Sequence, residues 1–189
     1  MCPLRLAALT IAALLLAGCY VIGTKIYDPN DHVFAQELVD EYYLFDEDTA
    51  AVSDLHTLRG KWLSRIRVTY DRTVGVYIVE FTTRSNGESE TLKVGVRRFD
   101  QHSFAAQPLT AKDSSALEVL RREPDGVLVR AKVSDERAEA LAARFRVSLS
   151  DYGMRLSGSP EAIIQFLAAV AADSRTEWER YMIPRRLVD

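Results

Sequence analysis

Alternating apolar and polar residues predict a β-strand over residues 62–70. Its apolar positions include Trp62, Ile66 and Val68, and charged residues such as Arg65 and Arg67 stand between them. A period of two places the two sets on opposite faces of a sheet. This segment is therefore expected to have one buried and one polar face.

The next two segments, 74–84 and 89–99, alternate in the same way and flank Asn86-Gly87. This dipeptide favours a two-residue hairpin turn, because both of its positions tolerate positive φ. A turn there would pair Val79 with Val94 on the apolar face and Glu80 with Lys93 on the polar face. The same logic predicts a second hairpin, from 116–122 to 127–133 across Pro124-Asp125-Gly126.

Helix signals stand at both ends of the chain and in its middle. Asp28-Pro29-Asn30-Asp31 predicts a helix start, followed by one apolar face. That face consists of Phe34, Leu38, Tyr42 and Phe45. Ser134 is expected to cap a short helix, with two short strands after it at 146–150 and 153–157. Its inner face consists of Ala138, Leu141, Ala142 and Phe145.

The last predicted helix begins at Ser159 as N-cap, with Pro160 in its first turn, and ends before Pro184. Its apolar stripe consists of Ile163, Leu167, Val170, Ser174, Trp178 and Tyr181. These elements together predict an α+β fold. The expected architecture is an antiparallel sheet of about five to seven strands, with an N-terminal helix, a short middle helix and a long C-terminal amphipathic helix.

The N-terminus has the pattern of an export signal. Arg5 precedes an uncharged run over residues 6–16, which is shorter than the roughly 20 residues that a membrane-spanning helix needs. The run ends in Leu16-Ala17-Gly18-Cys19, which resembles the lipobox of bacterial lipoproteins. The resemblance implies that residues 1–18 are removed as a signal peptide and that Cys19 becomes the lipid-attachment residue.

Two or more acyl chains on Cys19 would hold the protein stably on a membrane. Residues 19–30 would then be the lipidated N-terminus and tether, and residues 31–189 a single globular domain. Because Tyr20, and not Asp, follows the cysteine, the lipoprotein resemblance implies the outer membrane. We therefore expect a protein of the bacterial cell envelope, facing the periplasm.

Composition narrows the function classes. Without the signal peptide, the chain has 23 basic and 27 acidic residues, a balance that argues against nucleic acid as a partner. Cys2 would leave with the signal and Cys19 would carry lipid, so no thiol remains for a disulfide, a nucleophile or a metal cluster.

Side chains with catalytic potential are scattered along the sequence. His32, His56 and His102 show no metal-ligand spacing, and their expected role is as solvated surface residues. The acid pairs Glu41 with Asp46 and Asp48 with Asp54 fall in a segment that is expected to be exposed. The sequence thus assigns no catalytic, cofactor-binding or metal-binding residue.

Two further patterns suggest ligands. Gly60-Lys61-Trp62 is similar to the Gly-x-Trp at the first strand of lipocalins, which are eight-stranded barrels that carry lipophilic molecules. The predicted helix at 135–145, after about five strands, departs from that pattern. Cations could also share one sheet face and bind an anionic envelope polymer. They are Arg65, Arg67, Lys93, Arg97, Arg130 and Lys132.

The expectation is a non-enzymatic, membrane-anchored envelope lipoprotein that contacts another envelope protein or an anionic polymer. A lipocalin-like carrier of a lipophilic ligand is the first alternative, and an envelope hydrolase the second.

Replacing the thiol tests the anchor. We expect Cys19→Ser to move the protein from the membrane fraction to the soluble fraction of lysed cells, because serine cannot take up the thioether-linked lipid. Equal sedimentation of variant and parent with membranes would contradict the anchor.

Overall fold

The fold was analysed on a computed structural model that describes residues 20–22, 26–27, 34–51, 54–109, 115–150 and 155–189. Over these ranges the chain forms eleven strands and three α-helices. Eight of the strands close into an antiparallel barrel, and the other three extend one of its walls as a small sheet.

The barrel strands follow one another along the chain. They are β2 (Glu41–Leu44), β3 (Ser64–Asp71), β4 (Val76–Thr83), β5 (Ser89–Arg98), β6 (Ser103–Pro108), β7 (Ser115–Arg122), β8 (Leu128–Lys132) and β11 (Glu177–Pro184). Each pairs antiparallel with the next, and β11 pairs with both β8 and β2, which closes the ring. The added strands β1 (Tyr20–Ile22), β10 (Arg155–Ser157) and β9 (Ser148–Ser150) extend from β7.

The predicted α+β fold is wrong, because the described chain is mostly β and its sheet is closed. The N-terminal helix is replaced by a 3-10 turn, Gln36–Leu38, and by strand β2. Tyr42 and Leu38 are both buried, in the cluster that fills the barrel. The spacing of Leu38 and Tyr42 matches that of a helix face by coincidence, since Leu38 lies in the turn and Tyr42 in the strand. The predicted helix start at 28–31 lies outside the described residues.

The long C-terminal helix is also wrong. Helix α3 (Pro160–Ala172) begins as predicted, and the Ser159 hydroxyl accepts a hydrogen bond from the Ala162 amide at 3.2 Å. It ends in a turn, where the Thr176 amide donates to the Asp173 carbonyl at 3.0 Å. The chain then returns as β11, the strand that completes the barrel.

The hairpin of β4 and β5 is confirmed, but its register is two residues from the predicted one. Val79 lies opposite Leu92, and Glu80 opposite Thr91. The loop has four residues, because the Thr83 amide donates to the Glu88 carbonyl at 2.9 Å. A shift of two residues leaves every side chain on its predicted face.

The second hairpin is confirmed as β7 and β8, and the short strands that follow are confirmed as β9 and β10. Helix α2 (Asp135–Phe145) has Ser134 at its N-cap position, without a capping hydrogen bond from the side chain. Of its predicted face, Ala138, Leu141 and Ala142 are buried and Phe145 is half-buried. A further short helix, α1 (Glu47–Ala50), lies between β2 and β3.

Apolar side chains pack on both sides of the barrel wall. Inside, a cluster built around Tyr42, Ile66 and Phe104 occupies the space between the strands. Outside, helices α2 and α3 cover the wall with residues such as Phe166 and Leu167. Burial on both faces makes β6, β7 and β8 the most enclosed strands of the barrel.

One of these outer contacts, between Gly95 and Tyr27, can be tested by substitution. A Cβ at this position would lie 2.3 Å from Cγ of Tyr27, whose hydroxyl bonds the Gly75 carbonyl. We expect Gly95→Ala to lower the free energy of unfolding by about 1–3 kcal/mol, because the Tyr27 ring must move. Chemical denaturation measures this loss.

Tyr27→Ala supplies the matched background. With the ring removed, the cost of Gly95→Ala should fall to a few tenths of a kcal/mol, as for a substitution without strain. An equal loss in both backgrounds would show that the contact does not restrain position 95.

Candidate functional site

The barrel interior contains a cavity of about 100 Å³. Its wall is largely aliphatic, with side chains from β3, β4, β5, β6, β7, β8 and β11. Val68, Val79, Leu92, Val96 and Leu120 are among them. Eight-stranded barrels are either filled by their own side chains or hold one small ligand. This barrel keeps free space that is apolar and enclosed by its strands.

One end of the barrel is closed by residues Ala35–Leu38, which we call the plug. The Ala35 amide donates to the Tyr77 hydroxyl at 2.8 Å, and the Tyr42 hydroxyl donates to the Leu38 carbonyl at 3.2 Å. Arg122 donates to the Glu37 carbonyl at 3.1 Å. Burial raises the pKa of Tyr77 from its ordinary value of 10 to about 12.

We call the opposite end the mouth; residues 110–114, between β6 and β7 at this end, lie outside the described residues. Cavity-lining residues near the plug, such as Leu38 and Tyr77, are buried, whereas those at the mouth are half-buried. The half-buried ones are Phe81, Leu92, Val94, Ala106 and Pro108. They lie toward the end of β4, the start of β5 and the end of β6, so an apolar ligand would enter from this end.

Glu118 is the one acid among the described residues that line the cavity. It lies opposite Ala106 in the pairing of β7 with β6 and is only 9% exposed. A carboxylate accepts hydrogen bonds through two oxygens and about four lone pairs. At this position its carboxyl group could form a hydrogen bond with a polar group of a ligand.

A network of charged residues lies beside the cavity. Arg130 is 8% exposed and pairs with Glu179 at 3.3 Å, while its guanidinium lies 5.2 Å from the centre of the Tyr181 ring. Lys132 bonds Glu179 at 2.5 Å and Glu47 of α1 at 3.1 Å. The network links β8 and β11 to the short helix after β2.

The network shifts the acid–base properties of its members. Partial burial acts to raise the pKa of Glu179, but hydrogen bonds from Lys132 and Arg130 lower it below its ordinary value of 4.5. Hydrogen bonds to Glu179 and Glu47 raise the pKa of Lys132. Both groups are thus ionised at neutral pH.

The proposed face of six cations does not form. Arg65, Arg67 and Lys93 point away from the barrel interior, whereas Arg130 is buried beside Glu179. The outer charges are also partly neutralised, since Arg67 lies 2.9 Å from Glu41 and 3.9 Å from Glu80. Sequence analysis missed Arg130 and Glu118 as interior groups. The sequence did contain a signal for these interior positions. Apolar residues precede and follow both Arg130 and Glu118, a pattern typical of strands buried on two faces.

Gly60-Lys61-Trp62 does not line the cavity. It precedes β3, the second strand of the barrel, whereas the lipocalin resemblance places it at the first. The Trp62 ring stacks on Tyr43 at 5.3 Å, outside the wall, with the Arg84 guanidinium 5.4 Å from the ring centre. The barrel, and not this motif, is the feature consistent with a lipocalin-like carrier.

The described residues that were considered for catalysis are exposed or have structural roles. His56 and His102 are exposed, and His32 lies outside the described residues. Asp46 caps α1 by accepting from the Thr49 amide at 2.9 Å, and Asp54 accepts from the His56 amide at 3.1 Å. Within the described residues, no three His, Cys, Asp or Glu side chains are grouped as metal ligands.

Two larger depressions, of about 430 and 510 Å³, are shallow clefts on the outer surface. One lies beside Trp178 and Arg121, and the other beside Arg144 and Glu161. Because their walls are mixed in polarity and open to solvent, the interior cavity is the better candidate for an apolar ligand.

The proposed lipid-attachment residue, Cys19, lies outside the described residues. Among those described, no helix has both the length and the apolar character needed to cross a bilayer. No protein-family model, curated protein or solved structure matches the chain. Function is therefore inferred from the geometry of the site.

The charge network predicts a pH dependence of stability. A carboxyl group whose pKa is lowered on folding stabilises the native state above its unfolded-state pKa, and this contribution is lost as the pH falls through its folded-state value. We expect the stability that Glu179 provides to be complete above about pH 5.5 and to decline below about pH 4.5.

Thermal unfolding between pH 7 and pH 3 measures this decline. Glu179→Gln should flatten the profile, whereas Glu177→Gln, an exposed neighbour in the same strand, should leave it unchanged. Parallel profiles for the parent and Glu179→Gln would contradict the assignment.

Proposed function

We propose that this protein is a lipid-anchored protein of the bacterial envelope whose barrel binds one slim lipophilic molecule. The observation that carries the proposal is the apolar cavity, which the plug closes at one end and whose described lining residues are half-buried at the mouth. The export run and Leu16-Ala17-Gly18-Cys19 support the envelope location.

The size of the cavity limits the ligand. At about 100 Å³, it is of the same order as the dry engineered cavity of about 150 Å³ that accepts benzene. It therefore fits one ring or a length of alkyl chain, and a bulky polycyclic molecule would require the wall to move. Its aliphatic lining favours a ligand held by burial of apolar surface.

The polar part of the ligand would meet Glu118. A hydroxyl on the ligand could form a hydrogen bond with this carboxyl group, whereas a carboxylate on the ligand would lose its hydration among described lining residues that include no cation. An alcohol with one alkyl chain is therefore the appropriate first probe. Decan-1-ol has these properties, and the part of its chain that exceeds the cavity volume would extend through the mouth.

A larger side chain at the mouth should weaken the binding of a ligand in the cavity. We expect Leu92→Trp to weaken the affinity for decan-1-ol at least tenfold, because the indole occupies the space that the chain would fill. Titration calorimetry measures the affinity. Methyl NMR shifts of Val79 and Val96 would localise the ligand.

Lys93→Trp is the matched control, since residue 93 is exposed on the outer side of the same strand. It should bind decan-1-ol like the parent, and both should bind decanoate more weakly at neutral pH. If the parent shows no methyl shifts, or if both tryptophan variants bind equally well, the cavity is not the binding site.

A further inference from the structure

Leu38 is the residue of the plug that lines the cavity. Every other described lining residue belongs to one of the barrel strands β3–β8 and β11. Leu38 is 6% exposed and belongs to the same apolar cluster as Tyr42 and Phe104. The inner end of the cavity is therefore closed by a side chain that the strands do not supply.

Hydrogen bonds fix the main chain around Leu38. Its amide donates to the Ala35 carbonyl at 3.0 Å, and its carbonyl accepts from the Tyr42 hydroxyl at 3.2 Å. The carbonyl of the preceding residue, Glu37, accepts from Arg122 at 3.1 Å. Since Tyr42 belongs to β2 and Arg122 to β7, the position of Leu38 is set by two strands of the wall.

An ion pair restrains the plug from a third strand. The Glu37 carboxylate pairs with Arg98 of β5, whose guanidinium lies 5.3 Å from the centre of the buried Phe104 ring. The Ala35 amide bonds the Tyr77 hydroxyl of β4. A ligand that reaches Leu38 would therefore meet a fixed side chain, because withdrawal of the plug would break several hydrogen bonds at once.

A fixed inner end limits how much of an alkyl chain can be buried. Each further methylene that is buried raises the affinity about fourfold at 25 °C. A methylene that stays among the half-buried residues of the mouth, such as Leu92, keeps part of its contact with water and adds less. The affinity should therefore rise with chain length until the terminal methyl group reaches Leu38, and then level off.

We propose that Leu38 is the floor of the cavity and determines the longest alkyl chain that the barrel can bury. This inference rests on the proposed function, because it needs a ligand in the cavity. The role of Leu38 is distinct from that of Glu118, which would meet the polar part of the ligand. Leu38 is a specificity-determining residue for chain length.

A series of straight-chain alcohols from butan-1-ol to dodecan-1-ol tests the floor. Titration calorimetry of the full chain gives the length at which the affinity stops rising, which we call the length limit. Leu38→Ala removes three carbons from the floor, so we expect the length limit to increase by about three carbons. The alcohol at the new limit should bind this variant at least tenfold more tightly than the alcohol at the parent's limit does. An unchanged limit would overturn the inference.

Leu92→Ala is the matched control, because it removes the same three carbons at the mouth and leaves the floor in place. We expect it to weaken the binding of the longer alcohols without changing the length limit. If the limit increases equally in Leu38→Ala and Leu92→Ala, the volume of the cavity and not the position of Leu38 determines chain length, and the inference fails.

Two conservative variants keep the test decisive if Leu38→Ala does not fold. Leu38→Val removes one carbon, and Leu38→Met nearly conserves the volume but reaches one atom further into the cavity. We expect the length limit to increase by about one carbon with valine and to decrease by about one with methionine. The same limit in the parent and in both variants would overturn the inference.

The two proposals fail in different ways. If the parent binds no alcohol, the carrier role is refuted, and the floor with it. If the parent binds decan-1-ol with methyl shifts of Val79 and Val96, but the Leu38 variants keep the parent's length limit, the carrier role stands and the floor alone is refuted.

Discussion

The return of β11 to β2 encloses the barrel interior. Met182 pairs with Leu44, and Trp178 of the same strand pairs with Ala131 of β8. This strand bonds the first and the last parts of the ring after an excursion through α2, β9, β10 and α3. Without it, the inward side chains of β2 and β8 would face solvent, and the cavity would have no complete wall.

The polarity of the side chains that surround the barrel interior changes along the barrel axis. Near the plug, tyrosine hydroxyls form hydrogen bonds with the Ala35 amide and the Leu38 carbonyl. Toward the mouth the wall is aliphatic on the β4–β6 side, while Glu118 and the Arg130–Glu179 pair lie on the side of β7, β8 and β11. A ligand with one apolar and one polar part would match this division.

Much of the local structure could be predicted from the sequence. Alternation identified β3, and turn residues located the two hairpins, since both signals are confined to short segments. The start of α3 was equally clear, because Ser159 and Pro160 act within a single turn.

The closure of the sheet into a barrel could not be predicted, because it depends on contacts between segments that are distant in the sequence. Tyr42 and Leu38 fit a helical face, and only their burial inside the barrel shows that one belongs to a strand. Trp178 and Tyr181 likewise continued the stripe of α3, yet they lie on opposite sides of β11. The interior position of Arg130 was missed for the same reason, since a charged residue in a strand is ordinarily placed on the solvent face.

The strand formed by Tyr20–Ile22 also constrains the order of events during export. A peptidase that cuts before Cys19 must hold the chain on both sides of the bond in an extended form. In the folded domain, the residues just after that bond are already hydrogen-bonded to β7 and β10. If Cys19 is processed as proposed, lipidation and cleavage must precede the docking of this strand, so β1 would join the small sheet only after the signal peptide is removed.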